Sequence, residues 1–530
     1  MSIKISLFIE SKTAFLPFMT SDVLEKLYAE IPKARDLIYK VGDKTPLTAI
    51  ELAGLNDIDV FIKREDLGPI NAYKWRGGYN AVYNHHKQTG CDTIIAASAG
   101  NHAQGVALAA RELDIQAKIF MPLAAPIMKQ EAVKRHGGDN VELILTGDTY
   151  NEAGDAAKAY VAETGYTYIH PFDDLYTMAG QAMIADEVIN ESKDAPFDYA
   201  FLQIGGGGMA GAVSAWLKKH YPDITIIGVE GNNQASMKTS VEAGTPLTLD
   251  KVDTFCDGTA VTRPGDLTFE VCKETIDEFV TVSNEDVSAA IRQLWEAKRL
   301  IPEPSGAMGV AGLYQYAQQH PDKLKGKKVL TVICGANMDF SKLSLLTAKS
   351  SITGQQRRYY NLDLPEAKGA LLQVLDAHFQ NMNVCEFMYG KTHETKASQT
   401  IAIEASDKEF EVFEANLEAA GINFSNISKE ADIQYKIINY NPALFHDPIF
   451  MNVRFPERKG ALRELLRAIS PVASICYFNY AYSGEVVGRA LMGFEFENAE
   501  NKQKFLQVID NSIVTCSPLD NQTVERILQH

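Results

Sequence analysis

No apolar run in the 530-residue sequence is long enough to span a membrane, and no charged N-terminal segment precedes a long apolar core and a small-residue cleavage site. The chain also lacks an excess of positive charge, since its formal net charge is -17 and its isoelectric point is near 5.2. An acidic balance disfavours a nucleic-acid backbone or an anionic membrane as a partner. These absences predict a soluble, cytoplasmic protein that binds neither nucleic acid nor a membrane.

Cysteine is scarce as well. The seven cysteines are odd in number, scattered along the chain, and part of no CxxC pair or histidine-rich cluster. This usage predicts neither a zinc site nor a disulfide framework. The cysteines are Cys91, Cys256, Cys272, Cys334, Cys385, Cys476 and Cys516.

A chain of this length is too long for a single core and predicts roughly two or three domains. From about residue 20 to residue 345, short apolar segments alternate with amphipathic ones such as Gln104 to Leu113. This alternation predicts an α/β domain with a parallel sheet covered on both faces, which binds ligands at the C-terminal ends of its strands. The candidate strands are Ile94 to Ala97, Ala117 to Met121, Val141 to Leu145, Tyr199 to Ile204, Ile224 to Val229 and Val329 to Cys334.

Lys74 is the candidate nucleophile of this domain. An apolar run ending at Ile62 predicts a buried strand, and Gly68-Pro69 separates it from a helix that we expect to start near Tyr73. The positive end of the helix dipole lowers the pKa of an ammonium placed there. Such an amine can hold an aldehyde cofactor as a Schiff base. The alternative is a surface lysine paired with the Glu65 or Asp66 carboxylate.

Two small-residue turns are candidate anion sites. Residues 93–105 predict a strand, a turn and a helix, while Gly205 to Gly208 join a short apolar strand to the apolar helix that contains Ala212 to Leu217. Glycines let the backbone approach an anion closely, and the helix start supplies free N–H groups. A flexible linker is the alternative for the four glycines. By topology, Ser98, Gly205 and Cys334 should converge on one cleft.

These stretches resemble the fold-type II (tryptophan-synthase-β-like) pyridoxal-phosphate enzymes, and specifically the family of biosynthetic threonine dehydratases. The resemblance covers about residues 20 to 345. The matching motifs occur in the family order and are Lys63-Arg64-Glu65-Asp66, Tyr73-Lys74-Trp75-Arg76-Gly77, Ser98-Ala99-Gly100-Asn101-His102-Ala103-Gln104-Gly105, Pro171-Phe172-Asp173-Asp174, Gly205-Gly206-Gly207-Gly208, Asp257-Gly258-Thr259-Ala260-Val261, Glu303-Pro304-Ser305-Gly306-Ala307 and Cys334-Gly335-Ala336-Asn337.

The resemblance implies a role for each matching residue. Lys74 would bind pyridoxal 5'-phosphate covalently and then take the substrate Cα proton, with Tyr73 packed near the cofactor. Cys334 would face the pyridine nitrogen, where a neutral partner makes a weak electron sink that suits elimination; the alternative is a buried small residue, as for Cys385 and Cys476. The remaining implied contacts are Asn101 to the cofactor 3′-oxygen, Gly205, Gly206, Gly207, Gly208 and Met209 to the phosphate, and Ser98, Ala99, Gly100, Asn101 and His102 to the substrate carboxylate.

Some positions depart from the family pattern. Ala72, Gln181-Ala182-Met183 and Ser305 differ from the common residues, which affects the expected substrate preference more than the cofactor chemistry. Relatives that bind a divalent cation use a glutamate and a nearby aspartate. Here Glu230 is kept but Ser236 stands at the aspartate position, so no metal is predicted.

A polar segment, residues 346–358, predicts a linker after the catalytic domain of residues 1–345. Beyond it, Pro365-Glu366-Ala367-Lys368-Gly369-Ala370-Leu371 returns 91 residues later as Pro456-Glu457-Arg458-Lys459-Gly460-Ala461-Leu462. The same offset carries Cys385 to Cys476, Phe387 to Phe478 and Tyr389 to Tyr480. Each copy, residues 359–440 and 441–530, predicts a ferredoxin-like α+β module, with a helix over Ala370 to Phe379 and a strand near Gln399 to Glu404 in the first.

The two modules resemble ACT-like regulatory domains, which implies feedback inhibition by L-isoleucine. The helix starts after Pro365 and Pro456 would receive the effector carboxylate, and Leu372 or Leu465 its branched side chain. The copies are unequal, since Arg463 corresponds to Leu372, which leaves open whether one module binds and the other only packs. A pair of dimerisation modules without a ligand is the alternative.

The complete pattern predicts a homotetrameric or homodimeric enzyme that converts L-threonine to 2-oxobutanoate and ammonia, with L-serine as a secondary substrate. Three alternatives stay open: an L-serine dehydratase, an amino-acid racemase on the same fold, and an amino-acid sensor built on an inactive domain. Ala99 disfavours the racemase because family racemases carry serine at that position. The presence of Lys74 disfavours the sensor.

Overall fold

The computed structural model describes residues 22–339 apart from 124, 148–149 and 193–194, and then 342–343, 346, 356–365, 370–379, 382–391, 396–428, 440–456, 461–481, 487–510, 515–519 and 524. The chain divides into two compact units, residues 1–350 and 351–530. Within the described ranges, no helix combines the length and apolar character that a bilayer crossing requires.

The first unit alternates strands and helices, as the sequence predicts. Its strands are β1 (Leu47–Ile50), β2 (Asp59–Arg64), β3 (Thr93–Ala97), β4 (Gln116–Met121), β5 (Val141–Leu145), β6 (Thr167–Tyr168), β7 (Tyr199–Gln203), β8 (Thr225–Gly231), β9 (Glu278–Val282) and β10 (Lys328–Ile333). Its helices are α1 (Asp22–Ile38), α2 (Lys74–Thr89), α3 (Asn101–Leu113), α4 (Ile127–Gly137), α5 (Tyr150–Thr164), α6 (Leu175–Gln181), α7 (Met183–Ser192), α8 (Gly208–His220), α9 (Ser236–Ala243), α10 (Asp266–Thr275), α11 (Asn284–Lys298) and α12 (Pro304–Gln319).

These strands form two sheets, which corrects the expectation of one. The larger sheet has the order β1-β2-β10-β7-β8-β9 and is parallel except for the β1–β2 pair. The smaller sheet, β5-β4-β3-β6, is parallel throughout. The strand pattern in the sequence does not show which strands pair. In the structure, Ser98 follows a strand of the small sheet, whereas Gly205 and Cys334 follow neighbouring strands of the large one.

Both faces of the large sheet are covered, as predicted. Successive side chains of a strand point to opposite faces, and on β7 Ala200 and Leu202 enter one core cluster while Phe201 enters another. Helices that include α1, α2 and α8 cover the first face, and α11 and α12 cover the second. The strand's near-continuous apolar sequence reflects this two-sided burial.

The second unit consists of two consecutive βαββαβ modules, which confirms the ferredoxin-like prediction. The first contains β11 (Gln356–Pro365), α13 (Ala370–His378), β12 (Asn383–Lys391), β13 (Lys396–Ala405), α14 (Asp407–Ala419) and β14 (Phe424–Asn426); the second contains β15 (Ile449–Pro456), α15 (Ala461–Ile469), β16 (Ser474–Ala481), β17 (Val487–Glu495), α16 (Ala499–Asp510) and β18 (Thr515–Pro518). Because β11 begins at Gln356, residues 356–358 belong to this strand and not to a linker.

The two modules share one antiparallel sheet, ordered β14-β11-β13-β12-β16-β17-β15-β18. At its centre, Met388 on β12 pairs with Asn479 on β16, its counterpart in the repeat. On either side Phe387 pairs with Tyr480 and Tyr389 with Phe478, so the modules are related by an approximate local two-fold axis. One hydrophobic core extends through both.

Candidate active site

Lys74 is the first residue of α2 and Tyr73 is at the N-cap position, which confirms the predicted helix start. The segment leading into α2 is attached to the end of β10. Ala72 forms an isolated bridge with Gly335, and the Tyr73 amide donates to the Cys334 carbonyl at 3.0 Å. The end of a buried strand therefore fixes the position of the lysine.

The Lys74 ammonium lies inside the protein. Its Nζ donates to the Pro171 carbonyl at 2.7 Å and lies 5.3 Å from the centroid of the Tyr73 ring. Burial lowers the pKa of Lys74 to about 8, although nearby Cys334 and Glu303 act in the opposite direction. The lowered pKa agrees with the sequence prediction, but its largest cause is desolvation, whereas the prediction relied on the helix dipole.

The surface ion pair considered for Lys74 is wrong. Asp66 pairs with Arg64 at 2.7 Å, and Glu65 pairs with Arg76 at 2.8 Å. The Arg76 guanidinium also binds Glu187 of α7 at 2.7 Å, and all three of these side chains are fully buried. This network ties the first turn of α2 to the segment that follows β2 and to α7.

The turn after β3 carries the residues assigned to the substrate carboxylate. Helix α3 begins at Asn101, three residues before the predicted Gln104, and the Gly100 amide donates to the Ser98 hydroxyl at 3.1 Å. The His102 ring points into the core, with Nε2 2.9 Å from the Ile169 carbonyl. Burial lowers the pKa of His102 to about 3, so this ring is neutral. The His102 ring therefore offers no positive charge to a carboxylate.

The four glycines form a tight connection between β7 and α8, which contradicts the flexible-linker alternative. Gly207 has a φ of 92°, a left-handed conformation that suits glycine. A Cβ atom on Gly206 would overlap the Phe172 ring, and one on Gly208 would lie 2.8 Å from the Phe172 Cβ atom. The first hydrogen bond within α8 is donated by Gly211, so the preceding amides have no partner inside the helix. Met209 is buried in the core of the unit.

Phe172 is held in place by the two carboxylates that follow it. Asp173 accepts hydrogen bonds from the amides at the start of α10, including that of Leu267 at 2.8 Å. Asp174 accepts from the Thr177 amide at 2.7 Å and thereby caps α6. This motif fixes both the carbonyl that binds Lys74 and the ring that packs against the glycines.

Cys334 follows β10 and is almost completely buried. Burial raises the pKa of its thiol well above the usual range, and nearby Glu303 raises it further. The Gln203 side chain, at the end of the neighbouring strand β7, donates to the Val332 carbonyl at 2.8 Å. The thiol is therefore a neutral group at the C-terminal edge of the large sheet.

Asn101 connects the small sheet to the large one. Its side-chain nitrogen donates to Glu303 at 2.8 Å, and its oxygen accepts from Asn337 at 2.8 Å. Glu303 and Asn337 lie within two of the motifs that match the family, but the sequence predicted no role for either residue. A glutamate directly before the first-turn proline of α12 was the available signal, since this position places a carboxylate at the helix start.

The Glu230 carboxylate binds main-chain amides. It accepts hydrogen bonds from the amides of Met237 at 2.9 Å and Lys238 at 2.8 Å, at the start of α9. Burial raises the pKa of Glu230 to about 7. Nowhere in the described part of the chain do three or more histidine, cysteine, aspartate or glutamate side chains form a group suited to a metal ion.

This arrangement fits a cofactor that carries an aldehyde and a phosphate. The amine at the start of α2 has a lowered pKa, and the glycine turn at the start of α8 offers free amides to an anion. A family model described as pyridoxal-phosphate dependent enzyme matches residues 38–335. A second, described as the C-terminal regulatory domain of threonine dehydratase, matches residues 348–437 and 444–528.

Individual proteins agree with these matches. The biosynthetic L-threonine dehydratase of Haemophilus influenzae is 34% identical over 478 residues, which cover 89% of this chain and 91% of that protein. The structure of the processed form of threonine deaminase isoform 2 from Solanum lycopersicum is 39% identical, with a TM-score of 0.58 over 62% of this chain and 94% of that chain. Maize serine racemase is 28% identical, with a TM-score of 0.56 over 61% of this chain and 96% of that chain.

The fold and the site thus define a pyridoxal-phosphate dependent enzyme of fold type II, whose cofactor is pyridoxal phosphate. Within that class, the chain belongs to the threonine dehydratase family, in the form that carries a C-terminal regulatory region.

Proposed function

We propose that this protein converts L-threonine to 2-oxobutanoate and ammonia, and that it accepts L-serine as a secondary substrate. The family relationship supports this reaction. The observation that carries it is the buried Lys74 amine, because a pKa near 8 leaves part of the amine neutral at physiological pH and able to accept a proton.

Each residue of the site has a part in this proposal. Bound pyridoxal phosphate supplies an electron sink conjugated to the substrate Cα atom. The Lys74 Nζ atom anchors the cofactor and receives the Cα proton, and the amides of the turn from Ser98 to His102 bind the substrate carboxylate. The amides from Gly205 to Met209 bind the phosphate, since a helix start stabilises an anion without a basic side chain.

Two further contacts orient the cofactor and tune it. Tyr73 packs beside it, and Asn101 donates to its 3′-oxygen. Cys334 faces the pyridine nitrogen as a neutral thiol, because burial keeps its pKa high. A neutral partner would not hold a proton on that nitrogen, so the ring would be a weaker electron sink, which suits a reaction in which the β-hydroxyl leaves promptly.

Racemisation is the competing reaction, and the likeness to maize serine racemase makes it a specific one. A racemase needs a proton-carrying group on the substrate face opposite the lysine. Ala99 cannot carry a proton. We expect chiral analysis to find keto acid from L-threonine and L-serine without a comparable amount of either D-isomer.

The reaction is tested by measuring 2-oxobutanoate from L-threonine with Lys74→Ala and with Lys87→Ala as the matched control. Lys87 is an exposed lysine in the last turn of the same helix. Lys74→Ala should lose both the visible absorbance of the cofactor and the turnover, while Lys87→Ala keeps both. Turnover retained in Lys74→Ala would contradict the assignment.

We also propose that L-isoleucine inhibits the enzyme through the second unit. An inhibitor must bind the less active arrangement more tightly, and a coupling of roughly 1–3 kcal/mol is sufficient. Residues 366–369 and 457–460 of the proposed carboxylate sites lie outside the described residues, and Leu465 is buried while Leu372 packs beside the same core. A chain ending at residue 346 should keep turnover but lose its response to isoleucine. An unchanged rate of the full chain across isoleucine concentrations would contradict regulation.

We propose in addition that the enzyme is cytoplasmic and forms a homotetramer or a homodimer. Sedimentation equilibrium of the full-length protein distinguishes these two states from a monomer.

A further inference from the structure

We propose that Glu303 is a positioning residue that holds the Asn101 amide with its nitrogen toward the cofactor, and thereby controls the hydrogen bond offered to the cofactor 3′-oxygen. This inference rests on the proposed role of Asn101. It concerns a residue whose side chain is buried and whose carboxylate binds that amide directly.

Three side chains, those of Asn337, Asn101 and Glu303, are linked in series by hydrogen bonds. Asn337 Nδ2 donates to the Ile70 carbonyl at 2.7 Å and to Asn101 Oδ1 at 2.8 Å. Asn101 Nδ2 then donates to Glu303 Oε1 at 2.8 Å. An amide nitrogen has two hydrogens, so Asn101 keeps one N–H for a further acceptor.

Both ends of this chain of hydrogen bonds determine its direction. A main-chain carbonyl only accepts hydrogen bonds, so Ile70 makes the Asn337 nitrogen the donor at one end. An ionised carboxylate also only accepts, so Glu303 requires the Asn101 nitrogen at the other. A reversed Asn101 amide would place its oxygen against the carboxylate and its nitrogen against another donor. Both contacts would be repulsive. The Asn101 amide would also offer its oxygen, an acceptor, to the cofactor 3′-oxygen in place of an N–H group.

The fixed orientation of the Asn101 amide depends on the negative charge of Glu303. A protonated carboxyl group can also donate a hydrogen bond, so it is compatible with either orientation of the Asn101 amide. Burial and nearby Asp257 raise the pKa of Glu303 to about 7, although Lys129 and the hydrogen bonds from Asn101 and the Asn337 main chain act in the opposite direction. The titratable groups that face Glu303 are Tyr73, Lys74, Lys129, Cys256, Asp257 and Cys334.

Gly335 makes room for the Glu303 carboxyl group. Glu303 precedes α12, and its amide donates to the Gly335 carbonyl at 3.0 Å. A Cβ atom on Gly335 would lie 2.6 Å from Glu303 Oε1. The absence of a side chain at residue 335 therefore leaves the space in which Oε1 lies against the Asn101 amide.

The test follows the visible absorbance of the holoenzyme, without substrate, as the pH passes through about 7. The wild-type absorbance should change with a midpoint near that value, and Glu303→Gln should lose the transition because an amide does not titrate. Glu230→Gln is the matched control, since Glu230 is equally buried and its pKa is also raised to about 7, but it lies outside this chain of hydrogen bonds. The control should keep the transition.

Asn101→Ala provides a second variant that leaves Glu303 in place. If Glu303 acts through Asn101, this variant should also lose the transition, and adding Glu303→Gln to it should change nothing further. No transition in the wild type, a transition retained in Glu303→Gln or Asn101→Ala, or its loss in Glu230→Gln would each overturn the proposal. Because no substrate is present, absence of keto acid formation would refute the proposed function without affecting this result.

Discussion

The Lys74 ammonium is shielded from water where it donates to the Pro171 carbonyl, and this desolvation determines its pKa. An ammonium in water has a pKa far above physiological pH, whereas burial brings that of Lys74 to about 8. Cys334 and Glu303 favour the charged form but do not outweigh desolvation. The amine can therefore act as a nucleophile and as a base in the same pH range.

The capture of pyridoxal phosphate by the apoenzyme should follow the neutral fraction of Lys74. Below a pKa of about 8 this fraction rises about tenfold for each pH unit, and above it the fraction is nearly constant. The rate, followed by the appearance of visible absorbance after mixing, should therefore rise with pH and level off above about 8. A rate independent of pH across this range would contradict the lowered pKa.

Gly206 is the residue at which added volume should do most harm to cofactor binding. Gly206→Val places a side chain against the Phe172 ring, which Asp173 and Asp174 hold in place, so the turn must shift. Overpacking of about 1–3 kcal/mol would weaken cofactor binding by roughly five- to 150-fold. Equilibrium dialysis against pyridoxal phosphate measures this change.

Gly154→Ala is the control for the glycine substitution. An added Cβ at Gly154 meets no atom within 4 Å, and the residue lies inside α5. Alanine should stabilise that helix by up to about 1 kcal/mol and leave cofactor binding unchanged. Equal affinities of Gly206→Val and Gly154→Ala would show that the turn does not need its glycine.

At the scale of elements, α2 is held by charge as much as by apolar packing. Arg76 lies two residues after Lys74 and binds both Glu65 and Glu187, with all three side chains fully buried. Desolvation makes such a network only marginally stabilising as a whole, but removing one member leaves an uncompensated buried charge. The network therefore ties the first turn of α2 to Glu65 and to α7.

Arg76→Ala should lower the free energy of unfolding of the first unit by about 3–5 kcal/mol. Trp75, Trp216 and Trp295 are the three tryptophans of the chain and all lie in this unit, so urea unfolding followed by their fluorescence reports on it alone. Lys26→Ala, which breaks an exposed pair with Asp22, should cost no more than about 1 kcal/mol. Similar midpoints for both variants would contradict the role of the network.

At the scale of the whole molecule, the second unit is one structure built from two copies of a sequence. Strands β12 and β16 join the copies, and the Phe387 and Phe478 rings lie 4.8 Å apart across the joint. The helices α13 and α15 also meet, through an ion pair of Asp376 with Arg467 at 2.8 Å. Neither module closes its own sheet at this edge.

A chain ending at residue 440 should therefore aggregate more than one ending at residue 346. The chain ending at residue 440 keeps one module, in which β12 is an edge strand without its β16 partner and Phe387 and Tyr389 are uncovered. An unpaired edge of this kind promotes aggregation. The truncation at residue 346 removes the complete unit near its boundary. Size-exclusion chromatography should show more aggregate for the longer chain. Equal behaviour of the two chains would mean that a single module is stable alone.

Local sequence determined most elements of this protein and much of its site. Strand bounds followed from apolar runs, as in Val141–Leu145, and the start of α2 followed from Gly68-Pro69 before Lys74. The repeat predicted two βαββαβ modules, because turn residues and periodicity act over a few neighbouring residues. The motifs around Lys74 and the glycine turn likewise identified the family before any distance was known.

Only the tertiary structure decided how these elements combine. The division into two sheets depends on strand pairing between distant segments, which no local pattern encodes. Desolvation, and not the helix dipole, became the main cause of the Lys74 pKa because burial depends on everything packed around the amine. The hydrogen bond between Asn101 and Glu303 joins residues 202 positions apart, so the orientation of that amide is fixed by folding alone.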